Sequence, residues 1–186
     1  MLRRESLSPN GWVAYDPGWL ADDTQVMAQT LQEVAVAPVM LRCYGRMVPS
    51  TRLVANVGKP YRYPSASLAG ADWTPTLVGV RDQLQEVVGD ELNESLVSYY
   101  PDGAAHVGWH RDGGRVQGTP IVSVSLGARR SFDLLSPDGD QWRWGLGDGD
   151  LLVLGGDAAG WKHRVPRRAQ AGPRMSLTFR VLAGAP

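Results

Sequence analysis

A mostly β fold with flanking helices, built as a jelly roll or another double-sheet architecture, is predicted by three observations. Eight short apolar runs follow one another at 96–100, 106–112, 120–126, 131–135, 141–145, 150–154, 161–165 and 175–182, the spacing of strands in a sandwich or barrel. Turn dipeptides punctuate them at Asp102-Gly103, Asp138-Gly139 and Asp148-Gly149, because Asp can bond to its own backbone and Gly accepts a left-handed conformation. Glycine (22) and proline (13) are both abundant in the 186 residues, which favours turns over long helices.

The first 15 residues carry no clear period and are expected to form an extended arm. Asp16-Pro17 opens a helix expected from about Gly18 to Val34, with Leu20, Met27, Leu31 and Val34 on one side. From Pro38 to Asp72, short apolar and basic stretches are broken by Gly45, Pro49, Gly58 and Pro60. Hairpins or ordered loops over a scaffold suit that pattern, and loops so placed carry recognition. Thr74-Pro75 starts a second helix and Gly89 stands just past its end, with a buried stripe expected at Leu77, Val80, Leu84, Val87 and Val88. The whole chain, 1–186, is long enough for one domain with a full core and short for two. Its parts are an arm and helix (1–37), the segment 38–72, and a support helix with the β core (73–186).

Composition narrows the function classes. Hydrophobic residues at 43% and charged residues at 20% are ordinary for a globular protein and exclude wholesale disorder. No apolar run approaches the roughly 20 residues that span a bilayer, and the N-terminus lacks a secretion signal, so a cytoplasmic protein without a membrane partner is expected. Cys43 is the single cysteine, which excludes an internal disulfide and a thiolate zinc cage. The net charge is zero, yet Lys162, Arg164, Arg167, Arg168, Arg174 and Arg180 follow Ala158 with no acidic residue among them. A locally basic rim can hold phosphates, and a solvated face explains the same charges.

His110-Arg111-Asp112 and, far along the chain, His163 fit the two-His-one-carboxylate triad that holds a non-haem iron and leaves one face open. Residues i and i+2 of a strand share a face, so His110 and Asp112 can reach one metal, with His163 delivered by a strand of the opposing sheet. A lone His-x-Asp is a weak signal, and a surface histidine beside a solvated acid is its ordinary explanation. Arg174 and Arg180 add weight, since they share a strand face within Pro-Arg-Met-Ser-Leu-Thr-Phe-Arg and could bind a dicarboxylate. They stand roughly 20 Å apart at the usual rise, so their side chains must converge. Surface arginines flanking Leu177 and Phe179 are the plainer alternative. Trp109, just before His110, and Trp161, two residues before His163, are expected to wall the metal core, and Arg129 and Asp133 to border the opening, with a plain surface pair as the alternative.

Together with Ser-Val-Ser-Leu-Gly at 123–127, Gly149-Asp-Leu-Leu-Val at 149–153 and Trp161-Lys-His163-Arg-Val-Pro166, these motifs resemble the AlkB family of Fe(II)- and 2-oxoglutarate-dependent dioxygenases over roughly 38–182. The resemblance implies a double-stranded β-helix (jelly roll) with 38–72 as an N-terminal substrate-recognition lid. It implies Fe(II) on His110, Asp112 and His163, and 2-oxoglutarate on Tyr100, Arg174 and Arg180. Arg174 would pair the distal carboxylate and Arg180 would lie near the chelating one. Ser98 and Ser176 stand where the family often has asparagine, and Gly113-Gly114 where many relatives have acidic residues that read the base.

The implied activity is oxidative dealkylation of N-alkylated DNA bases of the 1-methyladenine and 3-methylcytosine type, with etheno adducts as further candidates. Alternatives are the same chemistry on RNA, tRNA or protein, or a small-molecule oxygenase. Tyr63 would stack on a flipped base with Tyr61 nearby, Tyr44 sits where duplex-active relatives carry an aromatic finger, and Arg111 is a further substrate contact. Alkylated DNA is the expected partner, and the protein is expected to be a monomer. His106 is expected at the rim of the site.

Overall fold

The computed structural model describes residues 2–20, 23–43, 45–62, 67–113, 116 and 118–183. Two antiparallel sheets face each other. The larger has eight strands in the order β1-β2-β12-β9-β14-β7-β4-β3: β1 (Arg4–Ser6), β2 (Gly11–Asp16), β3 (Ala37–Cys43), β4 (Arg46–Gly58), β7 (Glu94–Tyr100), β9 (Ile121–Gly127), β12 (Asp150–Gly156) and β14 (Arg174–Arg180). The smaller runs β11-β10-β13-β8, from β8 (Val107–His110), β10 (Arg130–Leu135), β11 (Gln141–Leu146) and β13 (Lys162–Val165). A short pair, β5 (Tyr61–Arg62) and β6 (Ser67–Leu68), stands apart. This is the predicted jelly roll.

Period-2 alternation divides each central strand between two environments. Val97, Val122, Val124, Leu151, Val153, Met175, Leu177 and Phe179 face outward and pack under the helices α1 (Asp23–Glu33) and α2 (Pro75–Val88). Their neighbours Leu96, Ser98, Tyr100, Ile121, Ser123, Leu152, Leu154, Arg174, Ser176, Thr178 and Arg180 face inward on one cavity. β14, apolar outside and polar inside, marks the interior as a binding space. No helix among the described residues is long and apolar enough to cross a membrane.

Helix α2 begins and ends where its capping residues dictate. The Thr74 hydroxyl accepts the Leu77 N–H at 3.4 Å, Pro75 occupies the first turn, and Gly89 closes the helix at φ 77°. Leu77, Val80 and Leu84 are buried, but Val87 is exposed, which corrects the outermost position of the expected stripe. Helix α1 starts at Asp23, later than Gly18. Leu20 is nevertheless buried, and its N–H bonds the Gly149 carbonyl at 3.0 Å.

The expected N-terminal arm is instead a strand of the main sheet. Residues Gly11–Asp16 pair with β12 along their whole length. Val13 packs between the sheets and Ala14 packs on the helix side, so both faces are buried and the usual apolar/polar alternation is missing. Trp12 lies opposite Gly155 in that register, and a Cβ on Gly155 would fall inside the indole. Gly155→Ala should therefore lower stability by about 1–3 kcal/mol through overpacking, read as a fall in the urea midpoint with an unchanged slope.

Part of the 38–72 segment, Leu53 to Gly58, belongs to the main sheet. β3 and β4 form a hairpin whose inner part, Leu53 to Gly58, pairs with β7 and extends the main sheet. From Arg46 to Ser50, β4 is paired by β3 alone among the described residues, so the hairpin's outer half projects past the sheet.

Candidate metal centre and dicarboxylate cavity

His110 ends β8 and His163 lies directly opposite it on β13. Both histidines thus come from neighbouring strands of one sheet, not from opposing sheets as expected. β8 stops at His110, so Asp112 reaches the pair from the loop that follows and not through strand parity. The rings of His110 and His163 stand 4.3 Å apart at 60°, and Phe132 stacks on His163 at 5.4 Å. Each Nδ1 faces the carbonyl two residues earlier, Gly108 at 2.9 Å and Trp161 at 3.3 Å. Donation there leaves each Nε2 with its lone pair toward the site.

Asp112 completes the set. Its Oδ1 is 3.7 Å from Nε2 of both histidines, and one ligand atom from each of the three residues lies within 4.8 Å of the others. Burial and the neighbouring His163 push His110 down to about 4. Burial lowers His163 as well, so both imidazoles are neutral at physiological pH. Burial raises the Asp112 carboxyl, but Arg180 and the two histidines outweigh it and hold the group well below the usual carboxylate range. Two neutral imidazoles and one carboxylate suit a non-haem Fe(II).

The opposing sheet supplies the cations. Arg174, Ser176, Thr178 and Arg180 alternate along the inner face of β14 and line the same cavity as the triad. Tyr100 stands opposite Arg174 on β7, and Glu94 stands opposite Arg180. Arg174 is buried, donates Nη2 to Ser125 Oγ at 2.8 Å, and lies 5.2 Å over the Tyr100 ring. Its Nε and Nη1 meet no hydrogen-bond partner among the described residues. Arg180 is engaged by acids: Nε and Nη2 donate to Asp112 Oδ2 at 3.1 and 2.7 Å, and Nη1 donates to both Glu94 oxygens at 3.2 and 2.9 Å. Burial pushes Glu94 up to about 7 against the pull of Arg180.

Ser98 and Ser176 both line the cavity, as does Arg52, a third cation absent from the expected set. Arg52 Nη1 donates to Ser98 Oγ and Tyr100 Oη, each at 3.4 Å. Two signals could have exposed the missing residues. Arg52 is a charge inside the apolar run of β4, and the 94-to-100 spacing on β7 matches the 174-to-180 spacing on its antiparallel neighbour.

A second groove opens beyond His110, beneath the β3–β4 hairpin. Val39, Leu41, Val48, Pro49, Val107 and Trp109 form its apolar lining, with Arg42, Arg52 and His110 among them. Trp109 lines this groove and not the metal cavity, whereas His110 lines both; the Arg164 guanidinium covers the Trp109 ring at 4.4 Å. Trp161 also turns away and stacks on Trp142 at 5.3 Å between the sheets. His106 sits at the rim, bonded to Thr51 at 3.1 Å. Arg111 is exposed beside the triad. Tyr44 and Tyr63 fall outside the described residues, as does the side chain of Tyr61.

Asp133 and Arg129 do not border the opening as a pair. Asp133 is buried and accepts from Arg143 at 2.6 and 3.0 Å and from Arg164 at 2.7 Å, whereas Arg129 bonds the Gly145 carbonyl. Hydrogen bonds from Arg143 and Arg164 hold the Asp133 carboxyl low. Its stabilising effect is present above the unfolded value of about 3.9 and is lost as pH falls through the lower folded value. Asp133→Asn should thus lower the thermal midpoint at neutral pH, and the gap from wild type should narrow as pH drops beneath about 3.9.

The family model of the 2OG-Fe(II) oxygenase superfamily matches residues 18–180. The chain is 33% identical to the mouse DNA oxidative demethylase ALKBH2, across 97% of this chain and 82% of that one. Against human ALKBH2 the identity is 34%, and the match spans 68% of this chain and 54% of that one. The rat alpha-ketoglutarate-dependent dioxygenase alkB homolog 3 is 30% identical over 95% of this chain and 67% of its own length. The structure of OsALKBH1 superposes with a TM-score of 0.62 at 18% identity, covering 96% of this chain and all of that one, which is a likeness of fold.

Proposed function

Because this chain belongs to the AlkB family within the 2OG-Fe(II) oxygenase superfamily, we propose that it removes alkyl groups from ring nitrogens of damaged DNA bases, of the 1-methyladenine and 3-methylcytosine type, with etheno adducts as further substrates. The observation that supports this most is a shared wall. Arg52, Val107 and His110 line both the dicarboxylate cavity and the groove beneath the hairpin, so a group held in the groove meets one of the three metal-ligand candidates, His110.

Bound there, Fe(II) and 2-oxoglutarate supply the oxidation by O2 of a C–H bond beside nitrogen, with succinate and CO2 as coproducts and the alkyl carbon released as an aldehyde. His110, Asp112 and His163 hold the metal, and Arg174 with Tyr100 binds the distal carboxylate. Leu96, Ile121, Phe132, Leu152 and Leu154 exclude water from the cavity between them. A base reaches the site only by leaving its stack, which favours damaged, weakly paired bases. The groove's apolar lining and Trp109 suit a base face, and the exposed Arg42 and Arg111 suit phosphates. Tyr44, Tyr61 and Tyr63 are assigned to the same task from the family pattern. A cytoplasmic monomer is the working form, and the lone Cys43 suits a reducing compartment.

Mass spectrometry of methylated oligonucleotides tests this reading. With Fe(II), oxoglutarate and oxygen, each 1-methyladenine or 3-methylcytosine should lose one methylene unit, and omission of either ligand should abolish the loss. No change on any alkylated DNA, with oxoglutarate still consumed on a metabolite, would sink it. Equal or faster turnover of matched RNA would move the substrate to RNA.

A further inference from the structure

The two inward arginines of β14 face chemically different partners across the same ladder. Tyr100, opposite Arg174, is a phenol, whereas Glu94, opposite Arg180, is a carboxylate. Glu94 has 0% of its surface exposed, and both its oxygens accept from one nitrogen of Arg180. The guanidinium is thereby divided: Nη1 goes to Glu94, while Nε and Nη2 go to Asp112 Oδ2. That leaves Asp112 Oδ1 as the oxygen equidistant from the two histidine Nε2 atoms, at 3.7 Å.

The backbone around this pair is clamped. The Asn93 N–H bonds the Arg180 carbonyl at 3.0 Å, and the Asn93 amide exchanges hydrogen bonds with the Leu182 backbone at 2.8 and 3.2 Å. Glu94 is not among the residues lining the cavity, and its hydrogen bonds reach the site through Arg180.

We propose that Glu94 is a positioning residue of the metal centre, which holds Arg180 against Asp112 Oδ2 and so commits Asp112 to presenting Oδ1 to the metal. The proposal rests on His110, Asp112 and His163 being the iron ligands. An arginine side chain has several rotamers to lose on ordering. In a buried site, a guanidinium without its second acid would follow whichever carboxylate arrived, including that of the cosubstrate. Partners one step behind a metal ligand commonly change metal affinity by about 10–100-fold. The competing account is that Glu94 merely neutralises a buried cation during folding.

Mn(II) titration of the full-length, oxoglutarate-free protein near pH 8, followed by the EPR signal of the free ion, separates the two accounts. Thermal melts without metal accompany it. Glu94→Gln should weaken Mn(II) binding about tenfold or more, and the same substitution should have no further effect in an Arg180→Gln background. A lower metal-free melting temperature with wild-type Mn(II) affinity would overturn the proposal, as would equal losses in both backgrounds. If Glu94→Gln fails to fold, Glu94→Asp decides: its shorter carboxylate should weaken Mn(II) several-fold, and wild-type affinity would count against the role. His163→Ala is the control, because equal Mn(II) affinity in that variant and the wild type would overturn the triad assignment itself.

Discussion

Arg174→Met is expected to lose about 10²- to 10⁴-fold in 2-oxoglutarate affinity while the ligand-free protein remains as stable as wild type. Arg174 is 2% exposed and pairs with no acid among the described residues; its neighbours are the Ser125 hydroxyl and the face of Tyr100. Arg180, by contrast, is shared by two carboxylates. Arg174, whose Nε and Nη1 lack hydrogen-bond partners among the described residues, is thus a cation available to a dicarboxylate. Two charge-assisted hydrogen bonds at about 1.5–3 kcal/mol each give the expected 3–6 kcal/mol loss. An apolar side chain in place of an uncompensated buried charge is commonly neutral or stabilising. Calorimetric titration of the Mn(II)-loaded protein with oxoglutarate, beside thermal melts without it, measures both halves. Arg174→Lys should fall between, since it keeps the charge and loses the fork. Unchanged oxoglutarate affinity in Arg174→Met would remove Arg174 from the cosubstrate site.

The β core is legible in the sequence because each strand is bounded by turn residues and alternates between helix-facing and cavity-facing positions. Its eight expected strands match the observed bounds to within two residues. The triad is legible for a different reason, since its residue types are scarce and chemically specific. What the pattern hides is pairing. Gly11–Asp16 is buried on both faces, so no alternation betrays it as a strand. Whether His163 joins His110 from a neighbouring or an opposing strand depends on strand order, which local periodicity does not encode. Arg180 illustrates the same limit: its spacing from Arg174 places it on the cavity face, but its two acid partners emerge only from the register of β7 and the path of the loop after β8.

Asp112→Ala should abolish metal-dependent turnover, with a loss beyond ~10³-fold in kcat/KM, or about 4 kcal/mol. The carboxylate is the only anionic member of the donor set, and its Oδ1 is the atom nearest both Nε2 atoms. Removing it leaves two neutral imidazoles, a poor site for a hard divalent cation. The fold should survive, because Arg180 keeps Glu94 as a counter-charge when Asp112 is gone. A buried cation left with no acid would be far more damaging, on the order of 3–5 kcal/mol. Asp112→Asn refines the test: the amide oxygen can still accept from Arg180, so the melting temperature should stay close to wild type while Mn(II) binding collapses. Succinate formation and the free-Mn(II) EPR signal report the two properties separately. Succinate released by Asp112→Ala within tenfold of the wild-type rate would show that the metal is held elsewhere.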